Sequence, residues 1–238
     1  IMEENFPYEL GKVSLIVNRI SNDQIFLLVP GFGATKKTKQ FDVIENKIGE
    51  LGISTARVDL FGHGDTSGDF EDLTITKAIH TLNSTLIYLK KKGFSKIGIL
   101  GSSFGGLVSF FATLNNPLVN LLVLKSPVSQ NQGEIIAKFK NIDIEIWKNT
   151  TLAKWTDKQG EHRLKYDFFE DSKNFKIEDH LKSLNIQTLI VHGSQDEVVP
   201  VTDTMKLNHS LLICLRVHYG GSSLYSLHFL NLQPVHKV

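Results

Sequence analysis

Ser103 stands in the run Ile97-Gly98-Ile99-Leu100-Gly101-Ser102-Ser103-Phe104-Gly105-Gly106, where an apolar stretch breaks into a Gly-x-Ser-x-Gly turn and then a helical pattern. A serine on a tight strand-to-helix turn can serve as a nucleophile, because the turn lifts its hydroxyl clear of the sheet. Glycines two residues to either side remove the side chains that would collide there. Gly101 and Gly105 fill those places. The N–H of Phe104, at the start of the following helix, would face the oxyanion of a tetrahedral adduct, helped by the positive end of the helix dipole. A serine hydroxyl is nonetheless a poor nucleophile until a histidine takes its proton, and that imidazole needs a carboxylate to fix its tautomer.

A carboxylate is offered by Thr188-Leu-Ile-Val-His192-Gly-Ser-Gln-Asp196-Glu197-Val-Val-Pro200, a buried strand running into a polar turn. The pattern His-Gly-x-x-Asp-x-x-Val-Pro favours Asp196 over its neighbour Glu197. His192 lies inside the strand end and is expected to hold its loop by hydrogen bonds. A second oxyanion donor is needed, and Leu27-Leu-Val-Pro30-Gly31-Phe32-Gly33, an early strand running into a glycine turn, points to the Phe32 N–H.

The elements that must position these residues follow from periodicity. Apolar runs at 13–20, 25–29, 54–59, 97–101, 121–125, 188–192 and 211–217 read as strands, most of them continuous as fully buried parallel strands are. Helical spacing appears at 39–51, 75–92, 104–114 and 202–207. In the second helix Ile79, Leu82, Leu86 and Leu89 form a core-facing stripe. The alternation predicts a doubly wound α/β fold, a mainly parallel sheet flanked by helices, in one domain over residues 1–238. Residues 129–182 break the rhythm with scattered polar and aromatic residues, and are expected to form a small cap inserted at the carboxyl end of a central strand, where such sheets bind ligands. Trp147, Trp155 and Phe168 in that insertion are expected to line a substrate pocket.

Lys plus Arg number 26 against 25 Asp plus Glu, a net charge of +1, which gives no reason to expect a nucleic-acid or anionic-membrane partner. The basic clusters Lys36-Lys37 and Lys90-Lys91-Lys92 are expected at solvated helix ends. The single cysteine, Cys214, excludes an internal disulfide and is expected in a buried strand. No apolar run is long enough to span a membrane and no leader-like segment opens the chain, so a cytoplasmic location is expected. The histidines show no closely spaced ligand pair and the glycine turns do not fit a dinucleotide fingerprint, so neither metal nor cofactor is expected.

The elbow at Ser103, the Asp196 turn and the glycine turn at Phe32 together resemble the α/β-hydrolase superfamily over nearly the whole chain. Asp59-Leu-Phe-Gly62-His63-Gly64-Asp65-Thr-Ser-Gly68-Asp-Phe70 is similar to a segment of the feruloyl or cinnamoyl esterase branch and its acylglycerol-lipase and thioesterase relatives. His63 is expected to bond its turn, and Pro30 stands where many members carry histidine. The resemblance implies a serine hydrolase that cleaves a small-molecule carboxylic ester or thioester through an acyl-enzyme on Ser103. It also implies a general base in the turn after the last strand, where this chain has Val217-His218-Tyr219-Gly220-Gly221-Ser222-Ser223. Ser223 occupies the histidine's usual place, and serine cannot act as base. His218 is the first substitute and His228 the alternative. A hydrolase-fold binding protein without a base, and an acyltransferase with the same residues, are the competing functions.

Overall fold

The computed structural model describes residues 1–157, 160–205 and 207 and the strand at 215–217; Cys214, His218, Ser222, Ser223 and His228 lie outside the described residues. The chain opens with β1 (Met2–Tyr8) and β2 (Gly11–Asn18), followed by β3 (Gln24–Val29), α1 (Lys39–Glu50), β4 (Ser54–Val58) and α2 (Ile75–Lys91). Next come β5 (Lys96–Ser102), α3 (Phe104–Thr113), β6 (Val119–Lys125), α4 (Gln132–Phe139), α5 (Ile144–Thr150), β7 (Leu152–Asp157), β8 (Gly160–Lys165) and α6 (Asp167–Ser172). The chain then enters β9 (Gln187–Gly193), α7 (Val201–Met205) and β10 (Leu215–Val217).

Eight strands form one sheet in the order β1-β2-β4-β3-β5-β6-β9-β10. The pairs β1–β2 and β2–β4 are antiparallel, and every pair from β4 to β10 is parallel. The central strands carry the core: Ile25, Leu27, Leu28 and Val29 on β3, Ile97 and Ile99 on β5, and Leu122 and Leu124 on β6 are all buried. Burial on both faces explains why they read as unbroken apolar runs. Helix α2 starts where the Thr74 hydroxyl accepts the Lys77 N–H, a side-chain cap that satisfies one of the first-turn donors. Its buried stripe is Ile75, Ala78, Leu82, Leu86 and Leu89, with Ile79 shifted to the flank.

The elements read poorly from sequence are the amphipathic or exposed ones. β1 is an edge strand whose only buried residue is Phe6, so it carries almost no apolar pattern. β2 ends at Asn18 rather than at Ile20, which is left exposed. Between β6 and β9 the chain forms α4, α5, the β7–β8 hairpin and α6. The hairpin is polar along most of its length, and its register sets Trp155 opposite His162, the two rings stacked at 5.3 Å. Trp147 is buried and donates its indole N–H to the Leu164 carbonyl while packing against Tyr166 and Phe169. Lys165 on β8 pairs with Asp72, fastening the hairpin to the segment ahead of α2. Among the described residues no helix is long and apolar enough to cross a membrane.

Candidate active site

Ser103 follows β5 directly, and its backbone lies at φ 53°, ψ −119°, in a region that non-glycine residues rarely occupy. Its position at the head of α3 is one where serine ordinarily caps the helix, yet its side chain makes no capping bond. Packing accounts for the two flanking glycines. A Cβ on Gly101 would strike the Gly105 carbonyl and the Ser109 hydroxyl, and one on Gly105 would strike the carbonyls of Pro30 and Val29. Backbone atoms cannot move aside as a flexible side chain can.

The same contacts bring the end of β3 against the elbow. A Cβ built on Gly31 would lie 3.4 Å from the Ser103 Cβ and 4.0 Å from its Oγ. The next residue, Phe32, sets its ring edge-on to Phe104 at 5.9 Å. Neither the Phe32 N–H nor the Phe104 N–H has a hydrogen-bond partner among the described residues. Two unpaired backbone donors flanking one hydroxyl are the elements of an oxyanion site.

The turn carrying Phe32 is held from outside by two buried groups. The Gly33 N–H donates to Nε2 of His63 at 3.1 Å, while Nδ1 of His63 donates to the Phe61 carbonyl at 2.9 Å. His63 is only 4 % exposed. Burial holds its pKa below the ordinary value of 6.5, and the Phe61 carbonyl and Asp59 oppose that only in part. The structural role expected for His63 therefore extends beyond its own loop to the turn that carries Phe32. Lys36 departs from expectation altogether: it is fully buried, with Nζ 2.6 Å from Asp59 Oδ2 and a second contact to Asp65. Its own backbone N–H donates to Asp59 Oδ1 at 2.7 Å. Two adjacent lysines read locally as a solvated helix end; the carboxylate that draws one of them inside lies 23 residues away in the chain.

Ser102, Lys125 and Val191 are in register across β5, β6 and β9. The Ser103 N–H donates to the Lys125 carbonyl at 2.8 Å, and the Ser126 N–H to the Val191 carbonyl at 2.7 Å. Ser103 and the turn carrying Asp196 thus leave the same edge of the sheet, two strands apart, roughly 10 Å at the usual strand spacing. Asp196 Oδ1 accepts the N–H groups of Val198 and Val199 at 3.0 and 2.9 Å. Its Oδ2 lies 3.6 Å from His192 Nε2. Glu197 is exposed, which separates the two adjacent acids. His192 is buried and bonded through both ring nitrogens, to the Thr204 hydroxyl at 2.7 Å and the Val199 carbonyl at 2.9 Å, the loop-holding part expected of it. The two proposed bases, His218 and His228, fall outside the described residues.

A cavity of about 200 Å³ opens at Ser103, walled by Gly31, Phe32, Val128, the α4 residues Gln132 and Ile136, and Val199. A larger one of about 310 Å³ lies beyond Phe32, between Phe70, Trp155, Asp157 and His162, and shares Phe32 and Lys140 with the first. Of the three insertion aromatics expected in a pocket, Trp155 alone lines either cavity. Phe168 is buried against Phe32 and Phe104 at 5.6 and 6.1 Å, supporting the walls from behind. Trp147 serves the packing of the insertion. Among the described residues no group of three His, Cys, Asp or Glu side chains gathers as metal ligands would.

The sequence profile described as the prolyl oligopeptidase family matches residues 48–229. Human palmitoyl-protein thioesterase ABHD10, mitochondrial, is 21% identical over 203 residues, 81% of this chain and 65% of that protein. The chain therefore spans less than two thirds of the length of the curated relatives it matches, between 57% and 65%. Among solved structures, Est1E from Butyrivibrio proteoclasticus with ferulic acid bound superposes with a TM-score of 0.71 at 23% identity, covering 86% of each chain. Mouse alpha/beta hydrolase domain-containing protein 10 superposes with a TM-score of 0.74 at 18% identity, covering 92% of this chain and 90% of that one. A putative hydrolase from Agrobacterium vitis S4 gives 0.77 at 17% identity, covering 92% of both. The mainly parallel sheet with its flanking helices is the α/β-hydrolase fold.

Proposed function

We propose that this chain, which belongs to the prolyl oligopeptidase family, is a serine hydrolase that cleaves a carboxylic ester or thioester through an acyl-enzyme on Ser103. The observation that carries this is the strained backbone at Ser103, which leaves an uncapped hydroxyl beside two unpartnered N–H groups and a cavity. Ser103 Oγ attacks the carbonyl carbon, and the Phe32 and Phe104 N–H groups hold the oxygen that becomes negative. A histidine takes the hydroxyl proton and returns it to the leaving alcohol or thiol. Water then enters, gives its proton to the same imidazole and releases the acid.

Asp196 orients that histidine, with Oδ2 free of the backbone bonds that occupy Oδ1. His218 is the base we assign. In support, it follows Val217 in the chain, and Val217 pairs with Gly193, three residues before Asp196. The elements between β6 and β9 act as a cap, since α4 supplies one wall of the Ser103 cavity. Support for an ester or thioester substrate comes from the curated relative named a palmitoyl-protein thioesterase and from the ferulic acid bound in Est1E. A cytoplasmic location is part of the proposal; the curated relatives are mitochondrial by name, and imaging of the tagged protein decides between the compartments.

The test is a burst of p-nitrophenol from a short acyl ester, lost in Ser103→Ala. Equal, slow release by both proteins defeats the proposal. The competing function, a binding protein without a base, draws on Ser223 standing at the usual histidine position. Labelling of Ser103 by a fluorophosphonate separates the two, because an unactivated hydroxyl reacts sluggishly.

A further inference from the structure

Gln132 opens α4 and is 2 % exposed, and it faces the cavity at Ser103. Its carboxamide makes no hydrogen bond among the described residues, and Oε1 is shut off from solvent. Three residues earlier the Ser129 hydroxyl is buried and equally without a partner. Buried polar groups are nearly always paired, and an orphan in a native fold calls for a reason. Among the described residues the other cavity walls leave few alternatives: Val128, Ile135, Ile136, Phe139, Val198 and Val199 are apolar, and the one cation, Lys140, already pairs with Asp157 at 2.9 Å. A carboxamide is neutral, donates and accepts, and fixes a group that does the same.

We infer that Gln132 is the polar anchor of the acyl subsite and selects a short acyl group bearing a hydroxyl. This rests on the assignment of Ser103 as nucleophile. The cavity, about 200 Å³, has room for an acyl chain of a few carbons carrying one hydroxyl.

The experiment compares binding of methyl 3-hydroxybutyrate with that of methyl 3-methylbutyrate, in which a methyl replaces the hydroxyl, using Ser103→Ala protein so that neither ester turns over. The hydroxy ester should bind roughly fivefold tighter, the scale of one net hydrogen bond. That advantage should vanish in Ser103→Ala/Gln132→Leu, with binding of the methyl isostere retained as the sign of an intact pocket. Equal binding of the two esters with Gln132 in place, no binding of either, or an advantage that survives Gln132→Leu overturns the inference. The first comparison needs no substitution at Gln132, so a misfolded variant does not shelter it. Because binding requires no turnover, hydroxyl selectivity in a chain that fails to label with fluorophosphonate would keep the subsite and discard the hydrolase mechanism.

Discussion

The imidazole Nε2 of His63 accepts the backbone N–H of Gly33 at 3.1 Å, tying the loop after β4 to the turn that presents Phe32. Only the neutral ring can do this, because Nδ1 already donates to Phe61 and a second proton would turn Nε2 into a donor facing a donor. Burial depresses the folded-state pKa below 6.5. Between that depressed value and 6.5 the unfolded chain binds more protons than the folded one, so stability must fall as pH is lowered through this window. Urea midpoints measured from pH 7.5 down to pH 5 should decline more steeply for the wild type than for His63→Gln. Parallel curves would show that His63 is not the titrating group.

Lys36 and Asp59 form a buried ion pair, each side chain fully enclosed. Removing one partner strands the other's charge in the interior, so Lys36→Met should cost about 3–5 kcal/mol. The exposed pair of Lys47 with Glu50 supplies the contrast: Lys47→Met should change stability by about 1 kcal/mol or less. Equilibrium denaturation of the two variants checks both figures.

Gly105→Ala places a methyl against the carbonyls of Pro30 and Val29. Relief requires the elbow and the end of β3 to part, at a cost of about 1–3 kcal/mol. At roughly 2–4 °C per kcal/mol for a domain of this size, the melting temperature should drop by several degrees. Esterase turnover should fall with it, since Gly31 and Phe32 follow Pro30 directly in the chain.

Asp196→Asn keeps a carbonyl oxygen for the Val198 and Val199 N–H groups and removes the negative charge. The fold should persist, and turnover should fall by about 10⁴-fold, the loss seen when an orienting carboxylate becomes an amide. Turnover within tenfold of wild type would place the orienting group elsewhere.

Much of this protein is written locally. Strands such as β3, β4 and β5 are legible because parallel strands buried on both faces must be continuously apolar. The elbow is legible because Gly101, Ser103 and Gly105 are three residue types at one spacing with one steric cause. The place of Asp196, in the polar turn just past the end of β9, is legible from the turn that contains it. What the sequence hides depends on partners distant in the chain. Lys36 reads as a surface lysine until Asp59 is brought beside it, and His63 as a loop residue until Gly33 arrives. Gln132 is one amide among many until α4 folds it into the cavity with Ser103. The insertion behaves the same way, for Trp147 and Phe168 pack inward and Trp155 reaches the pocket, a division that composition cannot make. Periodicity and steric demand act within a few residues, whereas burial, ion pairing and an unfilled hydrogen bond exist only once the sheet has assembled them.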